Sequence, residues 1–232
     1  MDKITFLKEY RKNIKLVSNE EIEALNKNDL PNEWLDIFKD TSNDSRKSRL
    51  MNLWESICGM ELKNTISYLT ERLVDVDLVL DNDSYAILYS VQSENNEILY
   101  YEGGAPESIS KNSELQKHYS HIPVSVKDFY EKLHNGFFYF PSRAMGLVRL
   151  QNISCFENFE WGIIEDLEEP LAINLNSTFG FFENGMGGYV AINMQDNSDD
   201  KATLWFTNDQ PEYNLNFWDV VDEWIVIGLQ DV

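Results

Sequence analysis

The chain has 232 residues, 43% hydrophobic and 13% aromatic, with 40 acidic side chains against 19 basic ones for a net charge of −21. That apolar content supports a real core, which excludes a disordered chain, and the length admits one large domain or two small ones. The charge excludes nucleic acid and anionic membrane as partners by repulsion and favours a basic partner.

The acids are unevenly placed. Residues 1–120 hold 22 acids and 14 bases, a net of −8, whereas residues 151–232 hold 16 acids and a single base, Lys201, a net of −15. Solubility alone is the competing reading of such a surface. The longest apolar runs are short; residues 220–229 are interrupted by Asp222 and Glu223. No membrane span is therefore expected. The opening MDKITFLKEYRKNIK lacks the apolar stretch of a secretory signal. A cytoplasmic location is expected, with Cys58 and Cys155 as reduced thiols.

Residues 1–72 read as helical. Ile4, Phe6, Leu7 and Tyr10 share a face, Ser18 with Glu21 makes a capping box, and Pro31 opens a helix bearing Trp34, Leu35 and Phe38. TSNDSRKS (41–48) reads as a polar loop before the apolar stripe Leu50, Leu53, Trp54 and Ile57, which Gly59 ends. Leu62, Ile66 and Leu69 continue into a further helix. Near Val74 the period changes to two: Val74, Val76, Leu78 and Leu80 predict a half-buried strand. Residues 84–93 and 97–102 then read as a hairpin around Glu94-Asn95-Asn96. Gly103-Gly104-Ala105-Pro106 breaks the pattern, and 103–120 is the expected boundary between a region 1–119 and a domain 120–232.

Residues 121–136, HIPVSVKDFYEKLHNG, form a self-contained helical unit. Pro123 breaks what precedes it. Ser125 is the expected N-cap, with Asp128 returning the bond. Val126, Phe129, Tyr130 and Leu133 make the apolar face, and Asn135-Gly136 the left-handed stop. Residues 144–151, 161–164, 171–175, 178–182, 189–194 and 202–206 read as strands, with polar loops at 165–169, 196–200 and 207–214. Phe217, Val220, Val221, Trp224, Ile225 and Gly228 mark a closing amphipathic helix. The sum is an α+β fold: a helical N-terminal part, then a mostly antiparallel sheet flanked by helices.

No catalytic motif emerges. Gly185-Met186-Gly187-Gly188 lacks a phosphate-loop lysine and a following helix, so it reads as a hairpin turn needing positive φ. His118, His121 and His134 have no cysteine or carboxylate set that completes a metal site. Asp196-Asn197-Ser198-Asp199-Asp200 begins like a calcium loop, yet Lys201 and Thr207 stand where glycine and glutamate are required. Ser154-Cys155 lacks the flanking glycines of a nucleophile elbow. With 40 acids, some carboxylate pair is always available, so a pair is not a glycosidase signature. No catalytic residue, cofactor or metal is expected. Trp161, Trp205, Trp218 and Phe156 lie among the acids, most of them expected in the core and any exposed minority as anchors for a basic protein.

In order and spacing, the Pro-helix-Asn-Gly unit, the glycine turn Phe182-Glu183-Asn184-Gly185-Met186-Gly187-Gly188-Tyr189 and the closing helix at 216–229 resemble the SUKH superfamily over residues 120–232. That group includes a fungal cell-wall assembly regulator and many bacterial immunity proteins. The resemblance implies a non-catalytic immunity protein that blocks a cognate toxin, often a nuclease. A nuclease is basic because it holds phosphate, so an acidic inhibitor can occupy its substrate surface. The expected partner-binding residues are Glu165, Asp166, Glu168 and Glu169 in the first acidic loop, Asp196, Asp199 and Asp200 in the second, and Asp209 and Glu212 in the third. The alternative is an intracellular scaffold or regulatory binding module that recruits through residues 1–119. Those 119 residues resemble no family and exceed the compact size of the superfamily.

Overall fold

The computed structural model describes residues 2–195 and 200–230. The first part holds α1 (Lys3–Tyr10), β1 (Lys15–Leu16), α2 (Asn19–Ala24), α3 (Asn32–Phe38), α4 (Asn43–Cys58) and α5 (Lys63–Arg72). Then come β2 (Leu73–Asp81), β3 (Ser84–Gln92), β4 (Ile98–Gly104), α6 (Ser113–Gln116), α7 (Val124–Asp128), β5 (Asn135–Tyr139), β6 (Gly146–Leu147) and β7 (Ser154–Cys155). The last part holds β8 (Thr178–Glu183), β9 (Gly188–Asn193), β10 (Lys201–Phe206), β11 (Glu212–Asn216) and α8 (Phe217–Gln230).

All described strands belong to one antiparallel sheet of eleven, in the order β1-β2-β3-β4-β5-β6-β8-β9-β10-β11, with β7 beside β8. The fold is α+β, a meander in which each strand lies next to its neighbour in sequence, apart from β7. Sheet and core both run through the expected boundary. β4 pairs with β5 across residues 105–134, and the main core joins Ile22, Trp34 and Trp54 to Phe137, Phe181 and Leu229.

Strand alternation sends side chains to two covered faces. Val76, Leu78, Ile87 and Tyr89 enter the main core with residues of α3, α4, α5, α7 and α8. Val79, Ala86 and Leu88 point the other way and pack under Leu7 of α1 and Ile14. At the far end of that second face, Ala191 and Trp205 pack under Phe156 and Trp161. Burial on both faces explains why β3, SYAILYSVQ, is nearly continuous in apolar residues.

The Ser18–Glu21 capping box is present in both directions, and Gly59 caps α4. Several local expectations are corrected. Within the polar run 41–48, residues 43–48 are the first part of α4, because Ser42 caps that helix by accepting from Ser45 N. In the 121–136 unit the helix begins two residues early, at Val124 behind Pro123. Ser125 therefore caps nothing; its Oγ receives the Trp218 indole N–H at 2.9 Å. Phe129–Leu133 widens into a π turn, closed by His134 N on Phe129 O, while keeping Phe129, Tyr130 and Leu133 buried. Asn135 and Gly136 follow the π turn and already open β5; Gly136 takes the expected left-handed φ, 79, and a Cβ there would also stand 2.8 Å from Arg149 N. Residues 161–164 and 171–174 form no strand, and of 144–151 only Gly146–Leu147 pairs. Of the 207–214 loop, 207–211 remains irregular and 212–214 joins the edge strand β11.

α5 has no capping side chain of its own. Its cap comes from α8: the buried Asp222 carboxylate accepts from Asn64 N at 3.0 Å and Thr65 N at 2.8 Å. Tyr68 Oη adds a bond to Leu229 O at 3.2 Å.

Candidate functional site: an acidic double loop

Two of the three acidic loops are built as one surface. Trp161 and Trp205 stack with centroids 3.9 Å apart and planes 5° apart. Trp161 donates its indole N–H to Phe156 O at 2.8 Å, and Trp205 donates to Asp209 O at 3.0 Å. The stack thus ties the root of the 165–169 loop to the 207–212 loop. Further out, Glu169 N donates to Gln210 Oε1 and Gln210 Nε2 donates to Glu169 O, both at 3.3 Å. Ala172 N donates to Tyr213 Oη at 3.2 Å.

This frame leaves Glu165, Asp166, Glu168, Glu169, Asp209 and Glu212 exposed. None of the ion pairs among the described residues involves these six carboxylates. Their field therefore reaches solvent uncompensated by a neighbouring cation. Asp200 is half-buried at φ 54. Its backbone carbonyl accepts from Phe217 N and its carboxylate from Ser125 Oγ. It lines a small cavity of ≈ 90 Å³ with Ala172, Ile173 and Tyr213, so it sits where the double loop meets the start of β10. Asp196 and Asp199 lie outside the described residues.

The aromatics expected among the acids are all in the interior: Trp161, Trp205, Trp218 and Phe156 are at most 8% exposed. Phe156, Trp161 and Trp205 hold the loops from beneath, whereas Trp218 packs in the main core. The exposed apolar side chain beside the acids is Ile164, 39% exposed, which sequence reasoning passed over because it sat inside an expected strand.

Other chemistry-bearing groups are accounted for by structure. His134 is fully buried in a closed chain of hydrogen bonds. Trp54 Nε1–H donates to Tyr89 Oη at 2.8 Å, Tyr89 donates to His134 Nε2 at 2.5 Å, and His134 Nδ1–H donates to Gly104 O at 3.2 Å. Burial pulls its pKa down from the ordinary 6.5 to about 3, so the ring is neutral and acts as a core hydrogen-bonding group. Gly103 leaves room for it, since a Cβ there would stand 2.6 Å from the imidazole. His118 packs edge-on to Phe179, and among the described residues no group of three or more His, Cys, Asp or Glu is placed to hold a metal ion. Cys58 and Cys155 are free and buried, and burial pushes both thiols up. Gly185 and Gly187 take φ of 80 and 81 in the β8–β9 turn, where Asn184 Oδ1 accepts from Met186 N and Gly188 N at 2.8 Å.

One buried charge cluster was not anticipated. Glu102 of β4 is fully buried at the middle of the second face and bonds Arg11 and Arg149. Arg11 lies 4.3 Å over the Phe140 ring. Both carboxylate oxygens of Glu102 are engaged, which makes it a structural ion cluster. Among the described residues no helix is long and apolar enough to cross a membrane. Compared with known proteins, the chain matches no family model, no curated protein and no solved structure.

Proposed function

We propose that the chain is a non-catalytic, SUKH-type immunity protein that binds a basic toxin, of nuclease type, through the acidic double loop. The observation that carries this reading is the set of six exposed carboxylates without ion-pair partners, held on two loops by a tryptophan stack and reciprocal backbone bonds. A preorganised surface of one sign speeds encounter with the opposite sign and loses little entropy on docking. Presented to a nuclease, those carboxylates occupy the cations that hold substrate phosphate, so inhibition is by occlusion. Ile164 supplies an apolar contact within the charged patch.

The test is capture of partners from the source cell by the wild-type chain and by E165K/E168K/D209K/E212K, at low and high salt. Wild type should retain a basic protein with toxin activity, more weakly at high salt, and the variant should lose it by about tenfold or more. Equal retention by the variant removes the double loop from the interface. Recovery of a neutral assembly indifferent to salt rejects the toxin reading.

A further inference from the structure

A second surface lies on the helix-covered side of the sheet, away from the double loop. Gly59 ends α4 and turns the chain toward α5, leaving Met60 89% exposed at the turn. On α8, the residues Asp219, Glu223, Val226 and Ile227 fall at helical spacing along the side that does not enter the core. Ile227 is 46% exposed although the helix buries Val221, Ile225 and Leu229 on its other side. Met60 and Ile227 thus line one groove between the start of α5 and α8, with a volume of ≈ 480 Å³. Its polar lining includes Glu61, Asp219 and Glu223, with Lys63 the one cation among the lining residues. The groove floor is rigid, because Asp222 bonds the first turn of α5 from beneath it.

We infer that this groove is a docking site for a basic amphipathic helix of a partner protein. The partner's apolar residues would lie between Met60 and Ile227, and its Lys or Arg side chains would face Glu61, Asp219 and Glu223. The apolar part of the lining is a strip of Met60, Val226 and Ile227 set among acids; helix-in-groove recognition pairs such a strip with charges at the rim. An exposed methionine adapts to varied apolar side chains. The sign of the rim selects the occupant. A second copy of this chain would set those carboxylates against themselves and add a second charge of −21, and nucleic acid is repelled by the same field. The inference is independent of the double-loop reading.

The probe is a labelled amphipathic peptide of about four helical turns, Leu on one face and Lys on the other, beside a control of equal charge with Gln for Leu. Fluorescence anisotropy at physiological ionic strength reads binding to the full chain. Wild type should bind the Leu/Lys peptide at least about tenfold more tightly than the control. M60S/I227S and D219K/E223K should each lose about tenfold or more, whereas E165K/E168K/D209K/E212K should retain binding. The groove substitutions fall on exposed side chains, and unchanged melting checks that the fold is kept. Absence of binding by wild type overturns the inference, as does equal binding of the Gln control or unchanged affinity in both groove variants. Loss in the double-loop variant alone would assign the peptide to that surface and equally overturn it.

Discussion

His134 and Glu102 are buried polar residues that hold the fold in different ways. The folded His134 titrates near 3, the unfolded one near 6.5. Between those values the unfolded chain binds a proton that the folded chain refuses, so stability falls as pH drops, by about 1.4 kcal/mol per pH unit. Above 6.5 this group contributes no pH dependence. Urea unfolding of wild type and His134→Gln from neutral pH to pH 4 should differ by that slope, with the variant less acid-sensitive; parallel curves would contradict the assignment. Glu102→Gln leaves Arg11 and Arg149 without their shared carboxylate and should cost about 3–5 kcal/mol, read by the same method. At this scale the sequence was legible in part. His134 stood out in the sequence as one of three histidines, but its hydrogen-bond chain to Tyr89 and Trp54 was not readable there. Glu102 was invisible, because its partners are 91 and 47 residues away in sequence and only the sheet brings them together.

At the scale of elements, alternation found β2, the turn at Glu94-Asn95-Asn96 found the β3–β4 hairpin, the amphipathic stripe found α8, and glycine placement found the β8–β9 turn. Apolar patterning failed at 161–164 and 171–175, read as strands from their apolar residues. Leu171, Ile173 and Leu175 do alternate, yet they pack as an irregular segment over the second face with Trp161. Alternating burial is shared by a strand and by a loop lying flat on a sheet, so the pattern alone does not separate them. The acids of the double loop were legible from composition; their joining by the Trp161–Trp205 stack was not. Trp161→Ala should therefore cost about 3–5 kcal/mol of stability. It should also make the 163–172 segment cleavable by protease and weaken partner binding, although it removes no charge. Wild-type affinity and protease resistance in that variant would show that the loops hold themselves. For α5, Asp222→Ala should lower stability by about 1–2 kcal/mol, and Asp222→Asn by less, since the amide keeps one acceptor. Thermal melts of the two variants check the order.

For the whole molecule, the decisive feature is a sheet that crosses the expected domain boundary. The charge asymmetry and the break at Gly103-Gly104-Ala105-Pro106 suggested two parts. Neither reports whether β4 pairs with β5, because pairing is set by backbone bonds and a shared core rather than by local pattern. Deleting residues 1–119 removes β1 to β4 and α1 to α6, and bares one edge of β5 together with the faces of Phe129 and Phe137. The full chain should unfold in one cooperative transition, and residues 120–232 alone should lack the near-ultraviolet signal of packed tryptophans. A native-like isolated fragment would restore the two-domain division.

The cap that α8 lends to α5 has a consequence for how the fold is reached on the ribosome. Strands laid down in chain order can pair as they emerge, since nearly every partner is the preceding strand. The first turn of α5 keeps two amides unsatisfied until Asp222, 158 and 157 residues later, arrives. Synthesis thus assembles the sheet progressively but fastens its helical side only when α8 is released. Nascent chains arrested before residue 217 should remain protease-sensitive across α5, and chains extended past α8 should become resistant in a single step.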